Sequence, residues 1–215
     1  MDDFNLLSTI LPLVGVLVSV GVSIGIAIFG DDLRAYFRNP KVCLLLPDLE
    51  GEWTILRGGQ LGTEAAIYFH ALVKNTQPAR LAKDLELFIE SCEITDSKGA
   101  KRKEPLPCPL PIQSRRKFNG ERHGMVDVGA TPFAYDLVRC RASNGFEVML
   151  NCDYPNNFKP FLRGPGTIEF VIQALGSNCA SDKIAIQIEW DGVFPKEQDG
   201  LGEHVKIARA ISYCD

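Results

Sequence analysis

The chain has 215 residues and a formal net charge of −4, with 23 lysines and arginines against 27 aspartates and glutamates. This length suits one membrane segment and one domain of ordinary size. The balance excludes a generally basic nucleic-acid-binding chain, so any anion site must come from local clustering of cations.

The first element is an apolar segment, for which we expect a single transmembrane helix over residues 6–30. No residue from Leu6 to Phe29 is charged, and this span exceeds the roughly 20 residues that cross the hydrocarbon core of a bilayer. A cleaved signal peptide begins with basic residues and has a shorter apolar core. This chain instead begins with Asp2 and Asp3, so we expect the segment to be retained.

The charges on either side of the apolar segment predict its orientation. The charged side chains before it are the acidic Asp2 and Asp3, whereas Arg34, Arg38 and Lys41 follow it, and positive charge stays on the cytoplasmic side. We therefore expect residues 1–5 to form a short extracytoplasmic tail, residues 31–41 an amphipathic connector, and residues 42–215 a cytosolic domain. The odd count of 7 cysteines, irregularly spaced, agrees with a reducing compartment.

Small and polar residues divide the predicted helix into two surfaces, at about 100° per residue. Gly21 and Gly25 form a small-xxx-small face that lets helices approach closely. The other surface is a polar stripe, whose members are the candidates for lining a pore: Asn5, Ser8, Gly15, Ser19 and Ser23. A passive anchor also tolerates such residues. One helix per chain cannot enclose a pore, so this interpretation requires a homo-oligomer.

The rest of the chain has the period of two that predicts β-strands, with Gly, Pro and Asn between the runs. The expected strands cover residues 42–46, 64–75, 84–94, 132–142, 146–150, 166–175 and 183–190. No long helical periodicity separates them, which disfavours βαβ units. The predicted fold is therefore mainly β, an antiparallel two-sheet sandwich of immunoglobulin-like type.

A basic cluster flanks the proline-rich stretch "EPLPCPLP", which we expect to be extended and exposed rather than paired. The candidate anion-binding residues are Lys98, Lys101, Arg102, Lys103, Arg115, Arg116, Lys117 and Arg122. A nucleotide, a nucleic-acid oligomer or an anionic lipid headgroup would suit such a surface. The alternative is a solvated loop opposed by Glu104 and Glu121. Arg139 and Arg141 alternate in a predicted strand and should share a face.

Catalytic and metal-binding motifs are missing from the sequence, which has no phosphate loop, H-E-x-x-H, C-x-x-C or G-x-S-x-G. His70 falls among apolar strand residues and is expected to pack or to lie on a strand face. Glu86, Glu90 and Glu93 are expected to form a solvated strand face, since no base or nucleophile accompanies them. We therefore expect no enzymatic activity, no catalytic residue, no metal, no cofactor and no small-molecule substrate.

Two stretches carry a resemblance to a known type of protein. "AIYFHALVKNTQPARLAKDLELFIESCEI" and "GTIEFVIQALGSNCASDKIAIQIEWDGVF", the latter with Trp190, Asp191 and Gly192 at the end of a late hairpin, resemble the immunoglobulin-like β-sandwiches of small bacterial membrane-anchored proteins. The resemblance covers about the last three quarters of the chain and is architectural. Some proteins of this layout are channel-forming anti-phage effectors of the Hailong type. The resemblance implies a place in the bacterial inner membrane and a role in antiviral defence.

Two functions remain open on these patterns. The first is a self-assembling membrane effector, whose gathered helices form a gated pore or disrupt the membrane under the control of an anionic ligand. The second is a membrane-anchored, non-enzymatic adaptor that presents its β-sandwich to a cytosolic partner. The polar stripe favours the first, and the same fold and orientation serve the second equally well.

Overall fold

The computed structural model describes residues 39–47, 49–58, 62–114, 124–196 and 201–213 of the β region, and residues 16, 18–24, 26 and 30 before it. The chain divides into two compact units, Met1–Asn39 and Pro40–Asp215.

In the first unit, residues 16, 18–24, 26 and 30 are helical. Their valine and isoleucine side chains are exposed, as at Val16, Val18 and Val22. Among the residues that the structure describes, no helix has the length and apolar content needed to cross a membrane. The single-pass membrane segment over residues 6–30 therefore stays a prediction.

The second unit is mainly β, and its described strands form two seven-stranded sheets in which every pairing between them is antiparallel. The described strands are β1 (Val42–Leu45), β2 (Glu52–Gly58), β3 (Gly62–Asn75), β4 (Ala82–Asp96), β5 (Lys101–Lys103), β6 (Leu110–Pro111), β7 (Gln113–Ser114), β8 (Val126–Val128), β9 (Phe133–Arg141), β10 (Gly145–Val148), β11 (Phe161–Leu162), β12 (Gly166–Leu175), β13 (Lys183–Trp190) and β14 (Val205–Tyr213). A single helical turn, Leu201–His204, precedes β14. The predicted antiparallel two-sheet fold is confirmed.

The first sheet has the strand order β1-β3-β9-β10-β11, with β2 also paired to β3 and β7 to β9. The second has the order β14-β13-β12-β4-β5, with β6 and β8 also paired to β4. Each of the seven strands predicted from alternation has a counterpart among these elements. The other strands are β2, β14 and five of two or three residues each, β5, β6, β7, β8 and β11.

The core consists of the inward-facing residues of both sheets. In β4 the side chains of Leu85, Leu87 and Ile89 are fully buried, and in β12 those of Ile168 and Ile172 are as well. Burying one such side chain stabilises the fold by about 1.5–3 kcal/mol. One contiguous cluster of buried apolar side chains draws its members from both sheets, which makes the architecture a β-sandwich.

Polar and aromatic contacts join the two sheets. The hydroxyl of Tyr135, in β9, donates to the carbonyl oxygen of Leu85, in β4, at 3.1 Å. The rings of Phe146 and Trp190 meet edge to face with their centroids 5.5 Å apart. Such pairs add about 0.5–1.5 kcal/mol beyond the area they bury, so these contacts help to fix how the sheets face each other.

The expectation for the proline-rich stretch was wrong in its second half. Leu110–Pro111 pairs with β4 and Gln113–Ser114 pairs with β9, and Leu110 and Ile112 are buried. Proline lacks only its own N–H, so the residues between and after the prolines can still donate. The N–H of Ile112 indeed donates to the carbonyl oxygen of Leu87 at 2.7 Å.

Candidate functional site

The polar stripe and the glycine face are described only in part. Asn5, Ser8, Gly15 and Gly25 lie outside the described residues. Ser19, Ser23 and Gly21 are helical and exposed. The Ser23 hydroxyl donates to the backbone carbonyl oxygen of Ser19 at 2.8 Å, so a serine here can satisfy its polar group within its own helix.

Gly21 has open space where a side chain would begin. A Cβ atom built on it has none of its described neighbours within 4 Å. Contacts inside the described part of this chain therefore do not require a glycine at position 21. Close approach by another helix is a physical reason for a small residue there.

The first half of the basic cluster lies on the hairpin that joins β4 to β5. Lys98, Lys101, Arg102 and Lys103 are all exposed on this hairpin. The Asp96 carboxylate shapes its turn by accepting from the backbone N–H groups of Lys98 and Ala100, both at 2.9 Å. The second half of the cluster lies outside the described residues: Arg115, Arg116, Lys117 and Arg122.

Two of these cations have carboxylate partners. The ammonium group of Lys101 lies 2.8 Å from Glu93, and this hydrogen bond raises the pKa of Lys101. The Nε of Arg102 donates to Glu104 at 2.5 Å. In the alternative interpretation Glu104 opposes the basic charges of the cluster, and it does pair with Arg102, although only 3% of Glu104 is exposed. It accepts two bonds, from Arg102 and from the backbone N–H of Lys159 at 2.7 Å.

The Arg102–Glu104 pair holds a distant segment against the β5 edge. One terminal nitrogen of Arg102 donates to the carbonyl oxygen of Lys159 at 3.0 Å. Together with the bond from the Lys159 N–H to Glu104, this contact fixes the segment that leads into β11. The pairing joins residues 57 positions apart, so spacing in the sequence could not reveal it.

An open cleft of about 650 Å³ lies where the β4–β5 hairpin meets this segment. Arg102, Lys159 and Arg163 line it, with Asp96 as an acidic member and Phe161 as an aromatic one. The basic cleft, defined by these five residues, brings one predicted cation together with two that the sequence analysis missed. Lys159 and Arg163 are exposed. Their only signal in the sequence was the short run "KPFLR" before Gly164.

His70 lies on the outer side of the first sheet between two carboxylates. Its Nδ1 is 3.0 Å from Asp136 and its Nε2 is 3.1 Å from Glu52. The imidazole side chain is 13% exposed. The expectation of a packed or face-exposed histidine is confirmed, but its two charged partners were not foreseen.

Arg139 and Arg141 share a face, as predicted, and both contact Glu147. Arg139 also donates to the Tyr68 hydroxyl at 3.3 Å. Burial alone lowers the pKa of Arg139, and the bonds to Tyr68 and Glu147 outweigh this and raise it. These guanidinium groups are engaged within the sheet, so the arginine pair is a poorer anion site than the basic cleft.

The predicted acidic face of β4 has cationic partners across the sheet. Glu90 lies 2.9 Å from Lys183 and Glu93 lies 2.8 Å from Lys101. Glu86 is half-buried. Within the part of the chain that the structure describes, no three His, Cys, Asp or Glu side chains are grouped so that they could hold a metal ion.

These observations define the class: a mainly β protein whose two antiparallel sheets form a sandwich, with a basic cleft beside an edge strand. No family model, no curated protein and no solved structure matches the chain.

Proposed function

We propose that the chain is a self-assembling membrane effector of the bacterial inner membrane, with its N-terminus outside and its β-sandwich in the cytoplasm. The apolar helices of several copies gather to form a gated pore or to disrupt the membrane. An anionic ligand, which is a nucleotide or an oligonucleotide, binds the basic cleft and controls whether the helices open the membrane. The layout of an anchor followed by an immunoglobulin-like sandwich suits a role in anti-phage defence.

The observation that carries this proposal is the uncharged segment of residues 6–29 with small and polar residues on two of its surfaces. An anchor alone needs only apolar length. Small residues let helices meet, and hydroxyl groups can line a narrow path because they find water or backbone partners. The bond from Ser23 to the Ser19 carbonyl oxygen is a backbone partner of this kind.

The basic cleft supports control by an anionic ligand. Arg102 is fixed by its bonds to Glu104 and to Lys159, while Lys159 and Arg163 lie exposed beside it. A cation held in place before binding loses little conformational freedom when a phosphate arrives. Phe161 offers an apolar surface in the same cleft, against which a nucleobase can stack.

The first experiment is the mass of the detergent-purified full-length protein, measured by light scattering with the detergent contribution subtracted. A defined oligomer of three or more chains agrees with the proposal, since several helices are needed to surround a path. A monomer contradicts it and leaves the adaptor as the function to pursue.

A substitution in the polar stripe tests the pore. Ser19→Leu should abolish release of a dye or an ion from liposomes, because a large apolar group replaces a small polar one on the lining surface. The matched control is Val18→Leu, on a neighbouring position outside the stripe, which should leave release unchanged. The oligomer mass should be the same in both variants. Full release by Ser19→Leu would count against a pore lined by this stripe.

Charge reversal in the basic cleft tests the ligand. Lys159→Glu with Arg163→Glu should weaken binding of a labelled single-stranded oligonucleotide by about tenfold or more. The slope of log affinity against log salt should also become shallower, by roughly 0.7 for each phosphate that the variant no longer neutralises. Lys74→Glu, an exposed lysine of β3, is the control. Vesicles with an anionic lipid form a second arm. Unchanged binding of both probes would rule out the cleft as the anion site.

A further inference from the structure

The imidazole of His70 joins three strands of the first sheet. Glu52 begins β2, His70 lies in β3 and Asp136 lies in β9. The register of β3 and β9 shifts between Phe69 and His70, which places Asp136 directly across from His70. One imidazole therefore contacts an acidic group on β9, at 3.0 Å, and another on β2, at 3.1 Å.

This geometry matches only one protonation state of the ring if both carboxylates are ionised. A neutral imidazole has one N–H and one lone pair, so one of its nitrogens would direct a lone pair at a carboxylate oxygen. An imidazolium donates from both nitrogens and carries a charge opposite to that of its partners. We propose that His70 is an imidazolium that latches the edge strand β2 to the first sheet, and that loss of its proton releases Glu52.

The two carboxylates differ in how readily each can lose its contact with the His70 ring. Asp136 is 8% exposed, and its second oxygen accepts from the amide of Gln113 at 3.4 Å. The Glu52 side chain is 57% exposed. Loss of a hydrogen-bond partner costs more free energy for a buried carboxylate than for an exposed one, because the exposed carboxylate can hydrogen-bond to water instead. When the ring becomes neutral, its remaining proton stays with Asp136, and Glu52 is the group that leaves.

Two further titratable groups among the described residues lie near the latch. Tyr68 stacks on the His70 ring, with centroids 6.1 Å apart and planes 4° apart. Arg139 lies over the Tyr68 ring at 5.9 Å, and its charge is paired with Glu147. The groups directly at the two ring nitrogens are acidic, so the local environment favours the imidazolium.

The latch acts on a strand with one described neighbour. Among the described strands β2 pairs only with β3, so its attachment depends on that ladder and on side-chain contacts such as Glu52–His70. The folded protein then holds the His70 proton more tightly than the unfolded chain does. The latch therefore contributes to stability below the ordinary histidine pKa of about 6.5, as long as both carboxylates stay ionised, and this contribution is lost as the pH rises.

The test is histidine NMR on the full-length protein in detergent, labelled with ¹³C and ¹⁵N in histidine. The chain has 3 histidines, and His70→Gln identifies the signal of His70. A free imidazole is about nine-tenths neutral at pH 7.5. We expect His70 to keep the ring nitrogen shifts of an imidazolium at that pH, and Glu52→Gln to convert most of the signal to a neutral tautomer. Glu189→Gln, on the second sheet, is the control and should change nothing.

Amide hydrogen exchange provides the second readout and follows β2 itself. As the pH rises, exchange of the amides of Trp53 to Leu56 should accelerate by more than the intrinsic exchange rate of unprotected amides does. Glu52→Gln should remove this additional acceleration. A neutral His70 tautomer in the wild type at pH 7.5 would overturn the proposal without the need for any variant. So would an imidazolium signal that Glu52→Gln leaves unaltered.

Discussion

Glu104 is a single residue on which the shape of the basic cleft depends. Its buried carboxylate accepts hydrogen bonds from two residues that line the cleft, Arg102 and the backbone N–H of Lys159. Glu104→Ala removes the acceptor for both donors and should lower the free energy of unfolding by about 1–3 kcal/mol. Urea titration of the full-length protein in detergent measures the change.

The matched control for Glu104 is Glu104→Gln, which keeps an oxygen for the Lys159 N–H but loses the charge that pairs with Arg102. It should retain most of the stability and lose part of the oligonucleotide affinity, since Arg102 is then held less firmly. Equal stability of Glu104→Ala and the wild type would show that the buried carboxylate does not fasten the segment.

Residue by residue, the sequence predicted which side of a strand a group lies on better than it predicted the partners of that group. Alternation correctly placed Arg139 and Arg141 on one face. It could not supply the partners of His70, because Glu52 and Asp136 are 18 and 66 residues away from it in the chain. Such contacts depend on strand pairing and on the register shift at Phe69, which leave no local pattern.

Among the elements, β10 has a strict requirement for glycine at its first residue. Gly145 has a φ of +71°, and a Cβ atom on it would lie 2.2 Å from the carbonyl oxygen of Leu162. Gly145→Ala should therefore cost more than the roughly 1–2 kcal/mol of the left-handed backbone alone, because β11 must move away from β10. Thermal or urea unfolding gives the difference.

Gly99 offers a control with the same backbone strain and no crowding. Its φ is +79°, and a Cβ atom there would have no described neighbour within 4 Å. Gly99→Ala should lower the free energy of unfolding only by the cost of the left-handed backbone. The additional loss in Gly145→Ala then measures the steric clash with β11. An equal decrease in the free energy of unfolding for the two variants would show that β11 can move away from β10 without destabilising the fold.

Strands that bury one face in the core were predictable from the alternation of apolar and polar residues. Strands without this alternation were not predicted. β4 alternates cleanly because Leu85, Leu87 and Ile89 face the core. β2 does not alternate, since Ile55 is 63% exposed while its neighbour Thr54 is half-buried. An edge strand with little core contact therefore gives little hydrophobic periodicity to find.

At the scale of the whole molecule, both sheets bury a thiol in the shared core. Burial raises the pKa of Cys92, in β4, and of Cys140, in β9, to about 12, against about 8.5 in an unfolded chain. Above the lower value the unfolded state holds fewer protons than the folded one. The free energy of unfolding should therefore fall as the pH rises from about 8.5 towards 12.

Urea titrations across this alkaline range, on the wild type and on Cys140→Ala, test the thiol contribution. The variant has one buried thiol fewer, so its stability should decline less steeply with pH even if it is lower throughout. Parallel declines in the two proteins would assign the alkaline loss to other groups.

The arrangement of the sheets set the limit of what the sequence could predict about the site. Two antiparallel sheets followed from the spacing of the strands, but the sequence did not indicate which strands lie side by side. The basic cleft exists because the segment before β11 meets β5, so its cations Lys159 and Arg163 were missed although Arg102 was not.

The short strand β1 is also the place where the chain enters the sandwich. Beyond its four residue pairs with β3, the carbonyl oxygen of Lys41 accepts from both the backbone N–H and the hydroxyl of Thr76, at 2.7 Å and 2.9 Å. The backbone at Pro40 is the covalent link between residues 1–39 and the β region. A pulling force applied to that link would load these two bonds and the β1 ladder. Their combined strength therefore sets the force at which β1 separates from β3.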